Sequence, residues 1–425
     1  MNLYKLQTQA RQDFIDNYYF PTYRVWPKTI IDKDILLKAV NSAVELVPTF
    51  KTKFIYHNEL LYLTDNDLPI VIKEIDTDGN TVYFGGIETN YYPWLISYSD
   101  DKIDFTTNHA LCDGIGAISF IRCVLGYYMQ HAGLIDKYVD HVYSNVDKAK
   151  IFENSAEDCY DPNIPPLGTP KPSPLSKFPK KLTNQASGTL FKFDASIIKR
   201  EARHSEVSNF AVFSYYFAKA IERYFDGQDF TAMICVPFNA RGILNSITTM
   251  NCFLPIPIIY RSKMMRDKKA EQIETVFRSQ MDIETDICNL NAEFKRRKEQ
   301  NELYSKNPQM LYQRAEDNKK DDDNMAFIVY THITKLDFPD YIEDFLYDIQ
   351  ALISNSYLPM PLAVGFTFKG KINLLFNDIT ENDEIVKHFK DILIENNIDY
   401  EIEENMTSTK QLYKWDGAKN NMKGY

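Results

Sequence analysis

The chain has 425 residues, of which 44% are hydrophobic and 25% charged, so it is long enough for two sizeable cores and has an ordinary globular balance. Its 48 basic and 59 acidic side chains leave a net charge of −11, which argues against a nucleic-acid or anionic-membrane binder, since either needs a basic surface. This does not exclude a local basic pocket for a phosphorylated cofactor, and the 14% aromatic content points to bulky cores or aromatic-lined clefts.

Asp34 to Val47 reads as a helix, with Ile35, Leu36, Leu37, Val40, Ala43, Val44 and Val47 on its apolar positions. Lys53–Tyr56 and Leu60–Leu63 read as a hairpin turning at His57-Asn58-Glu59. Tyr92–Tyr98 and Lys102–His109 follow as consecutive strands. In the second, Ile103, Phe105 and Thr107 alternate with Asp104, Thr106 and Asn108, which predicts that His109 shares the inward face of Ile103 and Phe105. Gly114–Met129 is an amphipathic helix carrying Ile115, Ile118, Phe120, Ile121, Val124, Leu125 and Tyr128.

Between Cys159 and Asn184, Pro162, Pro165, Pro166, Pro170, Pro172, Pro174 and Pro179 break any regular element. We expect a domain at 1–160, a Pro-rich crossover linker at 161–187 and a second domain at 188–425. The second half opens with a strand at Gly188–Phe193 and a helix from Asn209 to Phe225 (Phe210, Phe213, Phe217, Ala220, Ile221, Tyr224). Strands at Thr231–Pro237 and Cys252–Tyr260 precede helices from Asp267 to about Asn301. The run Lys295-Arg296-Arg297-Lys298 reads as a solvated face at a helix end, complementing the helix dipole. Lys319-Lys320-Asp321-Asp322-Asp323 reads as a mobile surface loop, and the polar tail after Glu404 as frayed.

The six cysteines (Cys112, Cys123, Cys159, Cys235, Cys252, Cys288) form no C-x-x-C pair, so neither a zinc site nor a disulfide framework is indicated. His57, His131, His141, His204, His332 and His388 show no metal spacing, and no bound metal is expected. With no secretory segment and no apolar run of about 18 residues, no membrane span and a cytoplasmic location are expected. The abundance of Asn, Ile, Lys, Asp and Tyr suggests an AT-rich bacterial genome.

The most informative stretch is Asn108-His109-Ala110-Leu111-Cys112-Asp113-Gly114. It holds one histidine between a strand end and a helix start, the rigid support that positional chemistry needs. Its plain alternative is an Asp113 N-cap, a turn glycine at Gly114 and a hydrogen-bonded core histidine at His109.

On this motif the chain resembles the chloramphenicol-acetyltransferase-like superfamily, which includes the condensation domains of peptide synthetases and the alcohol O-acetyltransferases. Asn-His-Ala-Leu-Cys-Asp-Gly is similar to that group's His-His-Ala-Val-x-Asp-Gly, with Asn108 at the first histidine. Acetyltransferase branches commonly vary there, which disfavours a peptide-bond-forming role. Val236-Pro237-Phe238-Asn239-Ala240-Arg241 with Ser246-Ile247-Thr248-Thr249-Met250-Asn251-Cys252-Phe253 resembles the Pro-Val-Asp/Asn-Leu-Arg … Asn-Phe segment of alcohol acetyltransferases. Tyr330-Thr331-His332-Ile333 with Lys335-Leu336-Asp337-Phe338-Pro339, and Val47-Pro48-Thr49-Phe50-Lys51-Thr52, are further matches in the right order. The Asp-Phe-Gly-Trp-Gly motif of the plant branch is absent.

The resemblance implies an α/β chain of two similar domains, each a mixed sheet flanked by helices, with a tunnel between them and the histidine midway. It implies an acyl-CoA-dependent O-acyltransferase, an alcohol acetyltransferase by preference, with acyl-CoA as cosubstrate, a small alcohol or amine acceptor and no permanently bound cofactor. His109 is then the general base, Asp113 and Gly114 support its loop, and Arg241 is the expected partner of Asp113. Thr331 and Asn251 are the leading candidates for oxyanion donation or tunnel lining, with Ser354 and Asn355 behind them. Cys112 and Cys252 are expected to be buried rather than nucleophilic. Because short superfamily members build the site between subunits and this chain is about twice their size, a monomer is expected to be competent. The alternatives are a condensation-type enzyme fed by an acyl carrier protein, and a catalytically silent relative that binds ligands.

Overall fold

The computed structural model describes residues 2–6, 10–11, 14, 20–75, 81–153, 160–164, 174–180, 182, 187–268, 270–272, 274–275, 283–307, 309–310, 313, 325–353, 360–404 and 413–416. The expected loop at Lys319–Asp323 and most of the Pro-rich segment lie outside these residues.

The first half runs β1 (Tyr4–Lys5), β2 (Pro21–Pro27), α1 (Lys33–Leu46), β3 (Thr52–His57), β4 (Leu60–Asp65), β5 (Ile72–Glu74), β6 (Val82–Phe84), β7 (Trp94–Tyr98), β8 (Ile103–Thr107) and α2 (Gly114–His131). Helix α1 starts where Asp32 accepts hydrogen bonds from the backbone of Asp34 and Ile35. It buries Leu36, Ala39, Val40, Ala43 and Val44, one stripe at helical spacing. The second half runs β9 (Ser187–Asp194), α3 (Ala195–His204), α4 (Asn209–Tyr224), β10 (Thr231–Asn239), β11 (Phe253–Arg261), α5 (Ile283–Lys306), β12 (Phe327–Ile333), β13 (Leu346–Ile353), β14 (Leu362–Phe368), β15 (Lys371–Asp378), α6 (Glu384–Glu395), β16 (Glu401–Glu404) and β17 (Tyr413–Trp415).

Two mixed sheets dominate. The first has the order β13-β2-β8-β7-β5 and the second β11-β10-β12-β14-β15-β9-β16, so the α/β architecture with helix-flanked mixed sheets is the one the sequence predicts. The edge strand β13 comes from beyond residue 188 yet pairs antiparallel with β2, and β17 pairs parallel with β6. The tail expected to fray after Glu404 therefore includes a packed strand: Tyr413 and Trp415 are buried in the first core. No helix among the described residues is long and apolar enough to cross a membrane.

The seam between the halves follows from strand periodicity. In β14, Leu362, Val364, Phe366 and Phe368 face the first core while Ala363 faces the second. In β12, Val329 and Ile333 pack on the first core, whereas Ile328 and Tyr330 sit in the second. Apolar residues on both faces leave these strands no solvent side, so each serves both cores.

Candidate active site

Strand β8 stops at Thr107, two residues short of the expected end, because Asn108 folds the chain into a turn. Its N–H donates to the Pro93 carbonyl at 2.8 Å, while its side-chain oxygen accepts from Ala110 N–H at 2.9 Å and its carbonyl from Leu111 N–H at 2.9 Å. His109 thereby leaves the strand alternation and is half-buried rather than wholly inward. Its ring meets Phe253, the first residue of β11, edge-on at 5.9 Å and 80°. Its carbonyl accepts from Asn251 Nδ2 at 2.9 Å.

Asp113 is both the helix cap of the plain reading and an ion-pair partner. Its Oδ1 accepts from Gly116 N–H at 2.9 Å, starting α2, and from Arg241 Nη2 at 2.9 Å. Its Oδ2 accepts from Arg241 Nη1 at 2.9 Å and from Cys252 N–H at 2.8 Å. Arg241 also donates through Nε to the Thr248 carbonyl and through Nη2 to the Met250 carbonyl, each at 2.7 Å. Burial alone would lower the pKa of this guanidinium, but the charge and hydrogen bonds of Asp113 outweigh it and raise the value. The pair is bidentate and desolvated, the geometry in which an arginine fixes a carboxylate most firmly.

The glycines let the halves approach. A Cβ on Gly116 would lie 2.0 Å from the Thr249 carbonyl oxygen, and one on Gly114 would lie 2.9 Å from the Tyr23 hydroxyl and 3.4 Å from Ile333 Cδ1. The Thr49 and Thr249 hydroxyls hydrogen-bond across the same seam.

Hydrogen bonds join Asp113 to Arg241 and His109 to Asn251, and the chain neighbours of Asn251, Met250 and Cys252, bond the Asp113–Arg241 pair; Gly114 lies at the same helix start. Thr331 is half-buried on β12, on the face of Val329 and Ile333 that turns toward the first core, and Ile333, two residues on, lies beside Gly114. Ser354 and Asn355 lie outside the described residues. Cys112 and Cys252 are buried at 1% and 0% exposure. Burial pushes the Cys112 thiol well up, the setting of a packing residue rather than a nucleophile.

Arg297 departs from expectation. Helix α5 runs on to Lys306, so the basic run lies inside the helix, and Arg297 is 2% exposed. It donates to Glu293 Oε1 at 2.8 Å and to the Phe253 carbonyl at 3.2 Å, bracing the strand whose ring meets His109. A four-residue charge run carries no signal for which of its members turns inward. A separate cavity of about 400 Å³, lined by Glu201, His204, Glu206, Tyr215, Tyr216 and Glu271 among others, involves none of the motif residues. Among the described residues no group of three or more His, Cys, Asp or Glu could hold a metal ion.

No protein-family model matches the sequence, and no curated protein matches it significantly. Solved structures do match. TRI101 of F. sporotrichioides, complexed with coenzyme A and T-2, superposes with a TM-score of 0.61 at 11% identity, covering 94% of this chain and 100% of that one. Polyketide synthase associated protein 5 of Mycobacterium tuberculosis gives 0.58 at 12% identity, over 92% of this chain and 97% of that one. The nonribosomal peptide synthetase FmoA3 gives 0.61 at 10% identity over 92% of this chain, which matches 42% of that longer one. At these identities the likeness establishes architecture: the chain has the chloramphenicol-acetyltransferase-like fold shared with condensation domains.

Proposed function

We propose that the protein is an acyltransferase, and specifically an acyl-CoA-dependent O-acyltransferase that transfers directly with His109 as general base. The observation that carries this reading is the setting of His109. A half-buried imidazole lies at the seam of the two halves, its carbonyl held by Asn251 and its loop tied by Asp113 to Arg241. The coenzyme A in the similar TRI101 complex supports the choice of donor.

An acyl thioester is already activated, so the missing element is a base for an alcohol whose own pKa is far above 7. The acceptor oxygen bonds to the thioester carbonyl carbon as neutral His109 takes its proton. The tetrahedral intermediate then collapses, the C–S bond breaks, and the imidazolium returns the proton to the departing thiolate. Holding both reactants at one seam supplies most of the remaining advantage. The Thr331 hydroxyl is our assignment for the oxyanion donor. Asn251 already spends a side-chain N–H on the His109 carbonyl, so we assign it to positioning. One chain supplies both His109 and Arg241, which supports a competent monomer. An alcohol acetyltransferase with a small acceptor is the preferred form.

The test is thiol release from a series of acyl-CoAs with a panel of alcohols and amines. His109→Ala should lower turnover by about 10²–10⁴-fold with melting unchanged; undiminished turnover in a folded variant rejects the assignment. The match to FmoA3 favours one second reading, an acyl carrier protein as donor. Transfer from an acylated carrier but from no acyl-CoA would select it.

A further inference from the structure

Helix α2 meets the second half at a second charged contact, more than two turns beyond Asp113. Arg122 is 1% exposed, and its guanidinium is shared between two carboxylates. Nε and Nη2 donate to Asp140 at 2.8 and 3.2 Å, within the first half. Nη1 donates to Asp337 of the later half, to Oδ2 at 3.1 Å and to the carbonyl at 3.4 Å, where the chain leaving β12 enters the first core through Leu336 and Phe338. Asp140 is itself fixed by Tyr138 Oη at 2.7 Å and by the N–H groups of Val142 and Tyr143 at 2.9 and 2.8 Å, so Arg122 cannot swing. Asp337 lies four residues beyond Ile333, the end of the strand that carries Thr331, and holds a left-handed backbone (φ 55°).

The two contacts have opposite polarity. At the first, α2 offers the carboxylate and the second half the arginine; at the second, the roles reverse. They are nine residues apart, about 13 Å along the axis at about 1.5 Å per residue. The first ties α2 to the Arg241 segment; the second ties it to the segment by which the chain passes from β12 into the first core. Tyr143 lies between them: Arg122 sits 5.8 Å from its ring centroid, and the charges of Arg241 and Arg122 both act on its phenol.

We propose that Arg122 and Asp337 are positioning residues, a clamp that sets the register of the Thr331 strand against the His109 loop. The catalytic part of this rests on His109 being the base; the clamp does not. A displacement near 1 Å in such an assembly can cost about 10²-fold in rate.

The experiment uses full-length Asp337→Asn, with His141→Gln as control, because His141 Nε2 also meets Asp337 Oδ2 at 2.9 Å. Thiol modification of Cys112 and Cys252, buried at the seam, is followed by peptide mass spectrometry under native conditions. It reads opening of the seam without any need for turnover. Asp337→Asn should raise both modification rates about ten-fold or more and lower kcat by about 10–100-fold, with donor KM and melting temperature little changed; Asp337→Glu should restore part of kcat, and His141→Gln should leave every readout in place. Unchanged modification rates, unchanged kcat with faster modification, or a kcat loss that merely tracks melting would each overturn the proposal. If the wild type transferred no acyl group at all, the labelling arm would still decide whether the clamp exists.

Discussion

Arg241 grips Asp113 end-on: two N–H···O contacts of 2.9 Å join them, and each carboxylate oxygen also takes one backbone N–H, from Gly116 or Cys252. Four donors converge on this carboxylate. An asparagine there offers one acceptor oxygen and turns an NH₂ group toward two of those donors. Asp113→Asn should therefore cost about 3–5 kcal/mol, the penalty of leaving a buried charge without its partner. Urea unfolding should show the loss, with poor soluble yield. Acceptor KM in the fraction that folds should barely move; a KM defect without a stability defect would place Asp113 on the substrate instead.

Close backbone approach at the α2 N-terminus gives a second prediction. Gly116→Ala puts a methyl group 2.0 Å from the Thr249 carbonyl oxygen, which is backbone and cannot swing aside. We expect a loss of at least about 1–3 kcal/mol, with the helix pushed off the 248–250 segment. Gly242, in the short helix Arg241–Leu244, is the control, since a Cβ there meets nothing within 4 Å. Gly242→Ala should be neutral or gain up to about 1 kcal/mol from helix propensity. Equal effects at the two positions in denaturant melts would refute the packing argument.

What the sequence revealed depended on how local the cause was. Helices α1, α2 and α4 each start at a polar cap and can be read from within their own windows, but α2, expected to be amphipathic, is buried on every side from Gly116 to Gly126, because elements far away in sequence cover its other face. The candidate site was legible where one short motif contained it: His109, Asp113 and Gly114 lie within six residues. The edge strand β13 was not legible, because its place beside β2 depends on a partner more than 300 residues earlier. Strands β12 and β14 are apolar on both faces, so their patterns lack the alternation that marks a half-exposed strand. Arg297 and Arg122 resemble ordinary surface arginines until the fold surrounds them. The turn and hydrogen bonds that draw His109 out of strand register involve Asn108 and Pro93, and no periodicity count registers them.

The chain end should matter to the first half. Trp415 is 5% exposed, with its ring 5.3 to 6.0 Å from those of Phe14, Phe54 and Phe84, and it fills the space that Gly85 leaves by lacking a Cβ. Two residues earlier, the Tyr413 hydroxyl donates to Asp104 Oδ2 at 2.7 Å, on the carboxylate that Arg24 grips at 2.6 and 2.7 Å. Trp415→Ala should cost about 3–5 kcal/mol in urea unfolding, as an aromatic truncated in a core. Stability equal to wild type would mean that the tail is not seated in solution.

Two buried titrations should oppose each other in acid. Burial lowers His332 from 6.5 to about 4 in the fold, where Tyr330 Oη lies 3.2 Å from Nδ1 and Thr367 Oγ1 lies 3.4 Å from Nε2. The unfolded chain thus binds this proton first, and the stability that neutral His332 secures is complete above pH 6.5 and lost as pH falls toward 4. Burial moves Asp378 the other way, from 3.8 to about 6, so the fold holds that proton more tightly and gains as pH falls through the same window. Each amounts to about 3 kcal/mol, and in the wild type they largely cancel. His332→Gln removes only the first. Its stability relative to wild type should therefore rise by about 3 kcal/mol between pH 7 and pH 4 in urea titrations, leaving Asp378 unopposed. A pH-independent difference would show that His332 is not held neutral by its burial.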